Sequence, residues 1–103
     1  MKLNLEIGAL YETGEHYWLL YPSSPEARRS MQVFCVTESS AVAEVKHWSE
    51  KLRSSVSYMS PDTVFMPLET SGYYHKILTG AGIVGWIMVD DLLAAEFTRL
   101  SEK

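Results

Sequence analysis

Cys35 and the histidines His16, His47 and His75 are the residues whose types could do covalent chemistry in this chain of 103 residues. A thiolate beside an imidazole is a nucleophile with its base, the arrangement of a small cysteine hydrolase. The competing reading of Cys35 is a small apolar residue in a core strand. The stretch Val33-Phe34-Cys35-Val36 has no glycine elbow and no helix N-terminus to lower a thiol pKa. The apolar reading is therefore preferred. A metal site would need three or four convergent ligands. The histidines are far apart, with no HxH or HExxH spacing. His47 reads as an exposed helix flank and His75 as a solvent-facing strand position. No cofactor is expected.

Asp90-Asp91 could be paired carboxylates for acid–base work. At the start of a helix the same pair complements the backbone dipole, and that reading is preferred. Gly80-Ala81-Gly82 lacks the lysine and following helix of a phosphate loop and reads as a hairpin turn. Aromatic side chains form the richest set: Tyr11, Tyr17, Trp18, Tyr21, Tyr58, Tyr73 and Tyr74, with Trp86 beyond them. Trp18 and Trp86 are the first choices for the core. Tyrosines carry an apolar ring and a wet hydroxyl, which suits interfaces. A surface cluster of Tyr11, Tyr73 and Tyr74 would mark a binding site.

The elements that must position these residues follow from periodicity. Leu3, Leu5 and Ile7 alternate with polar residues and predict a strand. Residues 9–13 and 16–21 flank Gly14 as a predicted hairpin. Pro22-Ser23-Ser24-Pro25 stops the second strand, and one helical turn is expected over 26–30. Residues 31–37 form the next predicted strand. Val42, Val45, Trp48 and Leu52 then recur at helical spacing, from a start near Glu38, Ser39 or Ser40 to an end near Arg53. Ser60-Pro61-Asp62 is a turn. Strands are predicted over 63–69, 73–79 and 83–89, with Pro67 marking an edge or a bulge. A short C-terminal helix is expected from Asp90, with Leu92, Leu93, Phe97 and Leu100 as its stripe.

Asp62-Thr63-Val64-Phe65-Met66-Pro67-Leu68-Glu69, Tyr74-His75-Lys76-Ile77, Gly85-Trp86-Ile87 and Asp90-Asp91-Leu92 together resemble the second half of a bacterial SH3-like domain. The resemblance covers 61–92. Ala9-Leu10-Tyr11 is similar to the Ala-Leu-Tyr that opens eukaryotic SH3 domains. The departure is residues 22–60, an insertion carrying the predicted helix. The resemblance implies an α+β fold: a mostly antiparallel SH3-like β-barrel with an inserted amphipathic helix and a short C-terminal helix. It also implies an aromatic groove for an extended peptide, with Tyr11 and Tyr74 in it. The insertion replaces the loop that would carry that family's acidic specificity residues. Trp86 belongs to the Gly-Trp pair that packs the barrel in bacterial members.

Length predicts a single domain over 1–103. The chain is 47% hydrophobic and 21% charged, which opposes disorder. A net charge of −4 argues against general affinity for nucleic acid. One cysteine excludes an internal disulfide and fits a reducing cytoplasm. No N-terminal leader pattern is read, and no apolar run approaches a membrane span of roughly 18 residues. The leading expectation is a non-catalytic protein–protein interaction or adaptor module. Its partner-binding residues would be Tyr11, Tyr73, Tyr74 and Trp86. A homodimer is a further expectation, because a small barrel does not cover two apolar helix faces. The alternatives are a nucleic-acid-associated barrel ringed by Lys76, Arg99 and Lys51, and the Cys35 hydrolase.

Overall fold

The computed structural model describes residues 5–22, 34–89 and 96–100. The fold is α+β, mostly antiparallel strands in two sheets with one helix. The elements in chain order are β1 (Tyr11–Glu12), β2 (Tyr17–Leu20), β3 (Phe34–Cys35), α1 (Glu38–Leu52), β4 (Ser57–Met59), β5 (Val64–Ser71), β6 (Tyr74–Thr79), β7 (Val84–Met88) and β8 (Thr98–Arg99). The first sheet has the order β7-β6-β5-β1-β8 and the second β3-β2-β4. An isolated antiparallel bridge, Tyr21 to Trp86, joins them. The expected barrel is therefore not closed among the described strands; two bridged sheets stand in its place.

The β5–β6–β7 meander matches the predicted strands and turns. Gly72 opens the first turn at φ 64°, a conformation that costs glycine little. The second turn holds Gly80, Ala81 and Gly82. The Gly82 amide donates to the Thr79 carbonyl (2.9 Å), and Gly82 itself has φ 88°. This is a three-residue hairpin loop whose last position demands a left-handed residue. Pro67 lies at a bulge: the register passes from Pro67 opposite Ile77 to Glu69 opposite Lys76. The extra residue is accommodated where proline could not extend the ladder.

Three sequence expectations fail. Residues 5–9 are a turn, not a strand: Gly8 has φ 88° and the Ala9 amide donates to the Glu6 carbonyl. Leu5 is buried there and Ile7 is 55% exposed. The Gly14 hairpin does not form, because β1 pairs with β5 and β8 while β2 pairs with β3 and β4. Thr13 crosses between the sheets instead. It is buried, its hydroxyl donates to the Ser60 carbonyl, and the Thr63 amide donates to that hydroxyl. At the C-terminus Thr98 and Arg99 are strand rather than helix. The Asp90-Asp91 pair, Leu92 and Leu93, and the turn over 26–30 lie outside the described residues.

One core lies between the inner faces of the two sheets. It gathers Leu5, Tyr11, Trp18, Leu20, Met59, Phe65, Ile77 and Ile87, with Phe34 and Phe97 against it. The Phe97 ring meets Trp18 (4.8 Å between centroids) and Phe65 (5.1 Å). A second cluster, Leu19, Tyr21, Trp48 and Val56, lies on the opposite face of β2, under α1. Strand alternation explains the division: Trp18 and Leu20 point to one side, Leu19 and Tyr21 to the other.

Helix α1 starts at Thr37, whose hydroxyl accepts from the Ser40 amide (3.2 Å), and ends at Arg53 in the left-handed region. Its buried stripe is Ala41, Val45, Trp48 and Leu52. Val42, expected on that stripe, is 51% exposed.

Candidate binding face

The five-stranded sheet has an inner face in the core and an outer face that no described helix covers, since α1 packs on β2, β3 and β4. Alternation along β6 sends His75, Ile77 and Thr79 inward and leaves Tyr74, Lys76 and Leu78 outside. Register then decides what lies beside them. Leu78 is opposite Met66 on β5 and Val84 on β7. Lys76 is opposite Trp86, and Tyr74 is opposite Met88. The pairing that sets Tyr11 opposite Phe65 and Glu12 opposite Val64, carried one residue back, brings Leu10 beside Met66. The Leu10 carbonyl accepts from the Leu100 amide (2.8 Å).

An apolar row thus crosses the sheet: Leu100, Leu10, Met66, Leu78, Val84. Leu10 and Leu100 are each 41% exposed and Val84 is 48% exposed. Leu10, Val64, Met66 and Leu78 line a shallow hollow of about 180 Å³. Neighbouring Trp86, Tyr74 and Met88 are half-buried. The charges on this face are Lys76 and Glu69, paired at 3.5 Å, and Glu12, opposite Val64. The bulge creates the Lys76–Glu69 pair, because the shifted register brings Glu69, not Leu68, opposite Lys76.

The four residues expected at a partner site fall in three environments. Tyr74 and Trp86 share the outer face. Trp86, expected to fill the core, is instead half-exposed, and its backbone carries the bridge to Tyr21. Tyr73 is 48% exposed at the β5–β6 turn. Tyr11 is in the core, 7% exposed, with its ring stacked on Phe65 and its hydroxyl oxygen accepting from the Glu6 amide (2.8 Å). The expected surface cluster of Tyr11, Tyr73 and Tyr74 therefore does not assemble. Sequence reasoning missed Leu10, Met66, Leu78 and Val84. Their signal was present: both alternating sets of β5 to β7 are apolar, which a sheet with one wet face does not require.

The groups suited to covalent chemistry are separated. Cys35 is buried opposite Tyr17, on the face of β3 turned away from Phe34. His16 meets the Phe34 ring (4.6 Å) and pairs through Nδ1 with the Glu96 carboxylate. His47 is exposed on α1 beside Trp48. His75, expected to face solvent, is 4% exposed on the inner side of β6; burial lowers its pKa, and its Nδ1 has no partner among the described residues. Among the described residues no histidine bonds to Cys35, and no three His, Cys, Asp or Glu side chains gather to hold a metal.

Electrostatics beneath α1 are set by burial. The Tyr21 hydroxyl is raised far above the usual phenol range, first by desolvation and then by Glu44 and Cys35. It stays protonated throughout the physiological range. Glu44 accepts from the Trp48 indole (3.0 Å), one turn along the helix. Tyr58 donates to Glu38 (3.0 Å), and this bond raises the phenol pKa. These contacts anchor the helix. No described helix is long and apolar enough to cross a membrane. No family model, curated protein or solved structure matches the chain.

Proposed function

We propose that the chain is a non-catalytic protein-interaction module whose binding surface is the outer face of the five-stranded sheet. The observation that carries this reading is the apolar row Leu10, Met66, Leu78 and Val84 on a face that no described helix covers, with Tyr74, Trp86 and Met88 beside it. Contiguous exposed apolar patches on small proteins mark interaction sites. Aromatic and methionine side chains are those enriched at interface centres. The finer fold reading, a bacterial SH3-like barrel opened by an insertion, belongs to the same proposal. The meander, the Gly85-Trp86 pair and the Tyr21–Trp86 bridge support it. A cytoplasmic setting, suggested by the single buried thiol, completes it.

The nucleic-acid alternative loses ground on its own residues. Lys76 is paired with Glu69, Arg99 with Glu6 (3.0 Å), and Lys51 lies over the Trp48 ring on a different element. A phosphate-tracking groove needs cations free to meet phosphates.

A photo-crosslinking amino acid placed at Met66 tests the proposal, with the same group at Val42 on α1 as control. Crosslinks to a protein from position 66 and none from 42 are expected. Equal crosslinking at both positions, or none at 66, would overturn it.

A further inference from the structure

We infer that the occupant of this outer face is a second copy of the same chain, stacked sheet on sheet about a two-fold axis. This rests on the face being the binding surface, and adds what binds there.

The first argument is shape and hydrogen bonding. The row from Leu10 to Val84 sits on paired strands, whose amides and carbonyls are spent in the ladders. An extended peptide recognised by strand addition needs free backbone groups at an edge, and this surface is the middle of a sheet. A flat apolar face is matched by another flat apolar face, at about 10 Å separation between sheets. A two-fold pairing requires one surface to fit itself. Met66 lies on β5, the central strand of the five, so a two-fold there places apolar side chains on both sides of it.

The second argument is charge. The chain carries −4 overall, which opposes association of copies through an arbitrary patch. On this face Lys76 and Glu69 pair with each other, which leaves Glu12, opposite Val64, as a carboxylate without an ion pair among the described residues. Copies meeting about Met66 keep Glu12 one strand and two residues away from the axis. The Lys76–Glu69 pair enters the interface already neutralised.

The third argument is area, and it sets the strength. The face is about 24 Å across its five strands, which run from two residues in β1 and β8 to eight in β5. Two such faces remove on the order of 1,000 Å² from water in total, at the low end of specific interfaces. An interface of this size is weak and reversible. Charges placed on the row would break it, whereas the fold, whose core lies on the other side of the sheet, would survive.

Sedimentation velocity of the purified chain, from about 5 to about 500 μM, reads this directly. The expected result is a concentration-dependent shift from the 11.7 kDa monomer toward a dimer. Leu78→Glu should weaken association by at least about tenfold. Val84→Lys, at a more exposed position, should weaken it with less risk to folding, and circular dichroism checks both variants. A chain that stays monomeric at the highest concentration overturns the inference, as does a dimer untouched by a folded Val84→Lys. A monomer that still crosslinks a different protein from position 66 removes the second copy and leaves the binding face standing. A monomer with no such crosslink removes both.

Discussion

The two sheets present outer faces of similar composition and opposite fate. On the three-stranded sheet Leu19, Tyr21, Val56 and Tyr58 are covered by α1, which seats Trp48 on them with 9% of its surface exposed. On the five-stranded sheet Met66, Leu78, Val84 and Trp86 have no described helix above them. The Tyr21–Trp86 bridge puts the two faces edge to edge, so the boundary between covered and bare falls between adjacent strands. Composition alone therefore does not decide whether an apolar face is core or interface. The position of one 15-residue helix does.

The sharpest way to break this comparison is to truncate the cover. Trp48→Ala removes the central side chain of the covered face and should cost about 3 kcal/mol or more, read from urea unfolding. If it costs under about 1 kcal/mol, α1 is not a structural cover. The junction comes next. A Cβ on Gly85 would lie 3.0 Å from the Leu20 Cβ and 3.3 Å from the Tyr21 carbonyl oxygen. Gly85→Ala should cost about 1–3 kcal/mol by forcing the sheets apart at the bridge.

Behind the bare face, His75 links stability to pH. Burial lowers its pKa in the folded chain below the ordinary histidine value of 6.5. Its stabilising contribution is whole above the unfolded pKa and declines as pH falls from there toward the folded value, because the unfolded chain takes up the proton first. Urea midpoints should drop between neutral and mildly acidic pH, and His75→Leu should flatten that part of the profile. An unchanged profile in the variant would remove His75 as the cause.

Thr37→Ala removes the cap that holds the cover's first turn and should cost about 1 kcal/mol, read from the same midpoint. The smallest effect is expected on the bare face: Leu78→Ala should change monomer stability by under about 1 kcal/mol. A cost matching that of Trp48→Ala would show the outer row to be core, and the comparison would collapse.

Much of the fold was legible locally. Thr37 and Arg53 bound a helix announced by Val45, Trp48 and Leu52, because capping and the 3.6-residue period act within a few residues. Gly72, Gly82 and the Pro67 bulge were legible for the same reason. The failures involve distant partners. Leu5 and Ile7 alternate like a strand, yet a Gly8 turn takes them, and the Gly8 amide donates to the Pro67 carbonyl instead (3.0 Å). Tyr11, expected at the surface, lies in the core, and Trp86, expected both in the core and at the partner site, is half-buried on the outer face. A tyrosine is equally suited to a core with one bond to its hydroxyl and to a wet surface, so residue type does not choose.

By itself, the amino-acid sequence determined the helix to within a residue or two of its ends, the three-strand meander with its turns, and the excess of apolar side chains on both faces of those strands. These follow from dihedral preference and period, which are short-range. Only the tertiary structure decided that Tyr11–Glu12 and Tyr17–Leu20 part into different sheets, that α1 covers one outer face and leaves the other bare, and that Leu10, Met66, Leu78 and Val84 fall into one row. Register and layer order are set by contacts between residues tens of positions apart, and the residues within one strand do not encode them.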